Sequence, residues 1–213
     1  MKQRGNLFKQ LIILFIGYGF LSLGIVLTKR ADLGMNAWGI FHQGLAEQLG
    51  ISFGMVTIFL GLIILAFSVW LLKTKIGIGT ILNVLVVGII IDLFDYLITF
   101  VPSTIIEKVN LLLVGLIVMT FGRALYISAS LGQGPRDGLI IGLHKVFNLE
   151  IKYLKPAIEA TVLIIGYFLG GTVGFGTIVI VFSSGYLVQG YFKILHYNPK
   201  TAKQTQIFSS TNK

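Results

Sequence analysis

The sequence predicts an all-α integral membrane protein of about six transmembrane helices, arranged as two inverted repeats of three helices each. Three observations support this fold class. The 213 residues are 55% hydrophobic and 12% charged, with a mean hydropathy of +0.88, and soluble domains do not have that balance. An uncharged run covers the 33 residues 160–192, which is too long for one core helix of a soluble domain. The pattern of residues 24–45 also recurs at 122–143.

The recurrence predicts an internal duplication. One residue out of the main register, the Gly-x-Gly-Thr sequence of 77–80 reappears at 174–177. Internal repeats in a membrane chain are typical of transporters. We expect a single membrane domain, with repeat 1 at about 7–101, repeat 2 at about 108–196 and a flexible cytoplasmic tail at 197–213. At an offset of 98 residues, seven of 22 positions are identical: glycines 24/122, 34/132 and 44/142, leucines 27/125, 33/131 and 45/143, and alanines 31/129.

Six segments approach the length of about 20 apolar residues that a bilayer demands. The first has no small-residue cleavage site, so we expect a retained helix rather than a signal peptide. Two further segments, 36–49 and 135–147, are helix-like but too short to span. We expect each to follow the first span of its repeat and to enter the bilayer partway or lie along its surface. The predicted spans are Leu11–Thr28, Ser52–Leu72, Ile76–Val101, Val109–Ser130, Pro156–Gly170 and Phe175–Leu195.

The positions of lysine and arginine predict the orientation of the chain, because these residues accumulate in cytoplasmic loops. With the N-terminus inside, 13 of the 17 are cytoplasmic, three (Lys29, Arg30 and Lys108) are outside, and Arg123 lies within a span. Both termini are therefore expected in the cytoplasm of a bacterium, with the protein in its plasma membrane. Three spans is an odd number, so the second repeat must be inverted. The net charge of +9 reflects these loops and their attraction to anionic lipid, rather than nucleic acid.

The residues with the most chemistry lie at the start of the second short helix. Gly134 can cap this helix, and Pro135 suits its first turn because the missing N–H has no partner there. Asp137 complements the positive end of the helix dipole. Arg136 beside the free N–H groups would form a site for a carboxylate or a phosphate. Alternatively, Arg136 and Asp137 pair with each other or with a neighbour and only fix the loop.

The corresponding stretch of the first repeat lacks these charges. Asn36 is a good N-cap residue, and Trp38 and Gly39 occupy the places of Arg136 and Asp137. Trp38 is interpreted first as an anchor at the membrane interface, which is the commoner role. The alternative is that Trp38 faces the second motif across a cavity between the repeats.

Charged residues within the predicted spans form a second group of candidates. A central Asp or Arg costs about 2.5–3.5 kcal/mol on insertion scales, so such residues usually face protein or water. We expect Asp92 to pair with Arg123, as a coupling or gating element, and consider a proton or cation site as the alternative. Asp95 is expected to reach the outer interface. Glu159 is expected to contact Lys155 within its own helix.

Metal, cofactor and enzyme chemistry find little support in the sequence. The chain has no cysteine, and its three histidines, at 42, 144 and 196, have no metal-ligand spacing. No zinc-protease, nucleophile-elbow or phosphate-loop pattern occurs. We therefore expect no cofactor and no enzymatic activity.

The paired glycine motifs resemble the YczE/YyaS/YitT type of multi-pass bacterial membrane protein. The Gly-Pro-Arg-Asp-Gly-Leu run at 134–139 is similar to the second motif of that family. Gly77 to Thr80, followed by Asn83, Gly88 and Asp92, is similar to the family pattern in the third span. The first motif departs from it, with Ala37 and Gly39 where proline and aspartate are expected. The resemblance implies the fold and the membrane location more than an activity.

Together these features predict a small transporter or permease for an unidentified solute, with an anion as a candidate. We expect substrate contacts from Arg136, Asp137, Gly134, Trp38 and Asn36, and coupling or gating by Asp92 and Arg123. The alternative is a non-transporting membrane accessory that supports the assembly or stability of another system. An intramembrane enzyme ranks below both. The partners expected are the lipid bilayer, a small solute and a second copy of the chain in a homodimer.

Overall fold

The computed structural model describes residues 7–74, 77–199 and 202. These residues form eight α-helices and no β-strand, which confirms the all-α prediction. Most of the tail predicted to be flexible at 197–213 lies outside the described residues, as do the basic residues Lys2, Arg4 and Lys75. The helices are α1 Leu7–Ala31, α2 Ala37–Leu49, α3 Phe53–Trp70, α4 Ile78–Leu97, α5 Ile105–Ser128, α6 Pro135–Phe147, α7 Ile151–Phe168 and α8 Phe175–Ile194.

Five of the described helices, α1, α3, α4, α5 and α8, are long and apolar enough to cross a membrane. The remaining predicted span corresponds to α7, which carries Lys152, Lys155 and Glu159 in its first half. Helix α7 begins at Ile151, five residues before the predicted span, and Pro156 lies within it. A proline near a helix start removes one backbone hydrogen bond, and the helix continues through it.

The two short helices begin where the sequence predicts. Each has 13 residues, which corresponds to a length of about 20 Å at the usual helical rise. The Asn36 side chain caps α2 by accepting a hydrogen bond from Gly39 N at 2.8 Å. Gly134 is the N-cap residue of α6 and Pro135 is its first residue, without a side-chain cap. The N–H of Asp137, which corresponds to Gly39, donates instead to the backbone oxygen Gly134 O at 3.1 Å.

The longest helix pair, α1 and α5, is antiparallel and packs backbone to backbone. A Cβ added at Gly17 would lie 2.6 Å from Tyr126 N, and one added at Gly24 would lie 2.6 Å from Gly115 O. A Cβ added at Gly122 would lie 2.7 Å from Gly17 O. Only glycine fits at these crossing points, and small residues at helix contacts allow the close packing that drives association in lipid.

The Gly-x-Gly-Thr sequences join the two halves of the chain. Gly79 N donates to Leu131 O at 2.9 Å, and Gly176 N donates to Leu33 O at 2.7 Å. The residue after each of these leucines is a glycine in the left-handed region, Gly34 with φ +101° and Gly132 with φ +138°. The turn after α1 therefore binds the start of α8, and the turn after α5 binds the start of α4.

Helix positions in the second half follow those in the first. The bounds of α2 recur 98 residues later in α6, those of α3 recur 98 residues later in α7, and those of α4 recur 97 residues later in α8. Left-handed backbone recurs in the same register, at Asp32 and Ser130 and at Gly50 and Asn148.

Candidate functional site

A cavity of about 480 Å³ lies at the centre of the molecule, and all eight described helices contribute to its wall. Its polar residues come mainly from the starts of the short helices α2 and α6, from the second half of α5 and from the first half of α7. Six residues predicted from the sequence for binding or coupling line this one cavity. They are Asn36, Trp38, Arg123, Gly134, Arg136 and Asp137.

Arg136 at the start of α6 reaches across the cavity to α2. Its guanidinium carbon lies 4.6 Å from the centre of the Trp38 ring, which is a cation–π contact. Its Nη2 lies 3.1 Å from Nε2 of His42. The interpretation of Trp38 as an interfacial anchor is therefore wrong, because the indole faces the second motif within the cavity. This position agrees with the alternative predicted from the sequence, in which Trp38 faces the second motif across a cavity.

The hydrogen bonds around His42 establish its tautomer. A guanidinium only donates, so Nε2 of His42 accepts from Arg136 and the proton lies on Nδ1. Nδ1 is 2.9 Å from Thr57 Oγ1, and the Thr57 hydroxyl in turn donates to Phe53 O at 2.9 Å. His42 is 2% exposed and is a neutral acceptor in this chain of bonds. It orients the guanidinium of Arg136 without balancing its charge.

The second arginine of the cavity has an acidic neighbour. Arg123 Nη2 on α5 lies 3.8 Å from Asp137 Oδ1 in the first turn of α6. Asp137 thus pairs with a neighbour, as one of the alternatives supposed, whereas Arg136 does not. Within the described residues, no carboxylate lies within 4 Å of Arg136 in an ion pair, and its contacts with Trp38 and His42 are both to neutral groups.

The predicted Asp92–Arg123 pair does not form. Asp92 accepts hydrogen bonds from Ser52 Oγ at 2.5 Å and from Gly54 N at 2.8 Å, at the N-terminus of α3. It does not line the cavity. The physical reason is the close contact of Gly54 with the Gly88 backbone, which brings α4 against the start of α3 and its free N–H groups. A coupling role for Asp92 stays a prediction, but its position is that of a helix cap.

The two remaining acids of the predicted spans have different surroundings. Asp95 binds Lys29 at 2.6 Å and Arg30 at 3.0 Å, so it neutralises two of the basic residues predicted to lie outside. Glu159 and Lys155 line the cavity and, within the described part of the chain, do not form the expected ion pair. Each therefore contributes a charge to the cavity wall.

Sequence reasoning missed His42 as a site residue. One signal could have found it: Trp38 and His42 are four residues apart and so share a face of α2. Asn83 on α4 was noted only for the resemblance. It also lines the cavity, and its buried Nδ2 has no acceptor in the described residues.

The fold and this cavity define a helical membrane protein with a polar internal site. The model of the family of unknown function DUF6198 matches residues 8–193, and the chain belongs to this family. An uncharacterized protein of Haemophilus influenzae is 31% identical over 189 residues, covering 88% of this chain and 85% of that protein.

Two proteins of Bacillus subtilis are similar over most of their length. The uncharacterized membrane protein YczE is 29% identical over 82% of this chain and 81% of its own. The uncharacterized protein YyaS is 25% identical over 84% of this chain and 90% of its own. The predicted family resemblance and the membrane location are thereby confirmed. No solved structure matches the chain.

Proposed function

We propose that the protein is a small membrane transporter that binds an anionic solute at Arg136 in the central cavity. The observation that carries the proposal is the environment of this guanidinium. Its direct contacts are a neutral imidazole and an indole face, and the acids Asp137 and Glu159 of the cavity wall form no ion pair with it. Its donors are therefore open to a bound carboxylate or phosphate, which would form paired, charge-assisted hydrogen bonds.

The other charged and polar groups of the cavity support an anion. Arg123, Arg136 and Lys155 are positive, whereas Asp137 and Glu159 are negative, so the wall has an excess of one positive charge with His42 neutral. The unpaired Nδ2 of Asn83 adds a donor for an anionic oxygen. Arg123, held by Asp137, is the second cation that a solute with two anionic oxygens would contact.

The proposed transport mechanism rests on an inverted duplication of the chain. The antiparallel crossing of α1 and α5 supports a twofold axis between the halves, perpendicular to both helices. Gly17 meets the Tyr126 backbone just as Gly115, its counterpart, meets the backbone near Gly24. With long helices normal to the membrane, this axis lies in the membrane plane, which is the arrangement of many secondary transporters. We include α7 as the sixth span and place both termini in the cytoplasm of the cell.

The same geometry links solute binding to movement of the halves. His42 belongs to α2 of the first half, and Arg136 belongs to α6 of the second. An anion that binds Arg136 competes with the imidazole for the guanidinium donors. Binding then replaces the Arg136–His42 bond between the halves by a bond to the solute. The halves are then free to move relative to each other, and the cavity can open first on one side of the membrane and then on the other. A ligand shifts such an equilibrium only through its different affinity for the two states.

Solute-induced thermal stabilisation of the purified protein tests this proposal. Small carboxylates and phosphates are added to the wild type, to Arg136→Gln and to Lys193→Gln, which removes a positive charge from an exposed position outside the cavity. We expect the anions that stabilise the wild type to stabilise Lys193→Gln equally. Arg136→Gln should remain folded and bind at least about tenfold more weakly, the equivalent of about 1.4 kcal/mol.

Three results would contradict the proposal. If no anion stabilises the wild type, the accessory function becomes the better account. If Arg136→Gln fails to fold, Arg136 is structural, and if the variant folds and binds as tightly as the wild type, Arg136 does not contact the solute. Uptake of the stabilising anion into proteoliposomes then separates a transporter from a binding protein, with Arg136→Gln as the inactive control.

A further inference from the structure

We propose that the cavity has a lateral entrance between α7 and α8 and that its ligand is an anionic amphiphile, with its head group at Arg136 and an alkyl chain in this entrance. This inference rests on the proposed function and specifies the substrate class. It follows from one difference between the two halves of the chain. The helix pair α3 and α4 is closed, whereas the corresponding pair α7 and α8 is open.

Close contacts seal the first pair. A Cβ added at Gly88 would lie 2.6 Å from Gly54 O, and one added at Gly61 would lie 2.9 Å from Val84 Cγ1. The two helices thus touch through backbone near one end and through a glycine and a valine near the middle. No ligand can pass between helices at these distances, since a methylene chain is itself about 4 Å wide at van der Waals contact.

The second pair has other residues at these places. At the offsets of 98 and 97 residues, Gly54 and Gly88 correspond to Lys152 and Gly185, and Gly61 corresponds to Glu159. Long charged side chains replace both glycines of α3, so α7 cannot approach α8 as closely. A Cβ added at Gly185 would have no heavy atom within 4 Å in the described structure, and both Gly185 and Glu159 line the cavity.

The position of the gap determines what can enter it. Gly185 is in the middle of α8, which is one of the candidate spans, so the gap lies at the depth of the hydrocarbon. Its sides are mostly apolar, with Ala160 and Leu163 on α7 and Ile180 and Val181 on α8. The arginine lies further inside, at the starts of α2 and α6. A ligand that fits this gradient has an anionic head and an apolar chain, since a hydrophilic anion has no favourable path from lipid.

Fluorescence of Trp38 provides a direct test. The chain has two tryptophans, and Trp70 is 83% exposed at the end of α3, so Trp70→Phe leaves the cavity tryptophan as the single reporter. The probe is a long-chain fatty acid brominated on its chain, added to this protein in nanodiscs. We expect saturable quenching of Trp38. Arg136→Gln in the Trp70→Phe background should weaken binding of the brominated acid at least tenfold.

Substitutions on α8 locate the entrance. Gly185→Phe, and Val181→Phe as a second variant, should reduce quenching by the brominated acid at least fivefold. Gly190→Phe is the matched control, because Gly190 also has open space around it but does not line the cavity. The brominated acid should quench Trp38 in Gly190→Phe as strongly as in the Trp70→Phe protein. Non-brominated short carboxylates such as butyrate should compete with the brominated acid only at much higher concentration.

The outcomes separate this inference from the proposed function. If short anions bind in an Arg136-dependent manner but the long-chain acid does not quench, the lateral entrance is wrong and the transporter proposal stands. Equal quenching in the Gly185→Phe, Val181→Phe and Gly190→Phe proteins also overturns the entrance. If binding of neither probe depends on Arg136, both proposals fail. If Gly185→Phe instead dissociates a dimer, a second copy covers the gap and the entrance is again overturned.

Discussion

Nη2 of Arg136 on α6 donates to Nε2 of His42 on α2 over 3.1 Å. The two residues are 94 positions apart and belong to the two short helices, one from each half of the chain. This bond and the stacking of Arg136 on Trp38 are therefore contacts between the halves at the point where they enclose the cavity.

Removing the imidazole of His42 should lower the free energy of unfolding and leave the Arg136 guanidinium without its acceptor. His42→Ala leaves Arg136 Nη2 without its acceptor and removes the imidazole beside Thr57, and losing one partner of a buried polar pair costs about 1–3 kcal/mol. Thermal unfolding in detergent should show the loss. His144→Ala is the control, because His144 bonds only an exposed backbone oxygen, Leu149 O. In a double-mutant cycle, His42→Ala and Arg136→Gln should be non-additive. Additive effects would show that the bond does not form in the membrane protein.

The α1–α5 crossing should not accept a methyl group. Gly24→Ala and Gly122→Ala place a Cβ against backbone of the partner helix, and overpacking of this kind costs about 1–3 kcal/mol. Gly19→Ala on the same helix as Gly24 has nothing within 4 Å and should be neutral or slightly stabilising. Unfolding in a titration with a denaturing detergent measures the difference. If all three variants unfold at the same detergent concentration, α1 and α5 do not cross at Gly24 and Gly122.

Asp92 should behave as a helix cap. Asp92→Asn weakens the hydrogen bonds from Ser52 Oγ and Gly54 N and removes the negative charge at the N-terminus of α3, at a cost of about 0.5–2 kcal/mol. Ligand affinity at Arg136 should stay within about twofold of the wild type. Asp32→Asn is a matched control, because its pair with Lys108 is exposed and contributes little. Loss of transport with unchanged stability would instead favour the coupling role predicted from the sequence.

Local chemistry explains what could be predicted from the sequence. Asn36 and the Gly134–Pro135 pair mark the starts of the short helices because their backbone and side-chain preferences act within a few residues. The recurrence of Gly24 at Gly122 indicated a duplication, and the structure places both glycines at the α1–α5 crossing.

Long-range packing explains what could not be predicted. The partner of Asp92 depends on how α4 lies against α3, and the sequence of one span does not specify that packing. His42 has no charged neighbour in the sequence, and its partner Arg136 comes from the other half of the chain. The gap beside Gly185 reflects substitutions on α7, which change the packing without changing the helix pattern.

The inverted orientation of the halves can be tested at two equivalent positions. Glu47 and Lys145 are exposed, are 98 residues apart, and lie in the last turns of α2 and α6. The chain has no cysteine, so Glu47→Cys and Lys145→Cys each introduce a single thiol. With the excess of Lys and Arg in the cytoplasm, an impermeant thiol reagent should label Glu47→Cys in intact cells. Lys145→Cys should react only after permeabilisation, as should Thr201→Cys near the C-terminus. Labelling of both equivalent positions from the same side would show that the halves are parallel. The proposed exchange of access between the two sides would then lose its geometric basis.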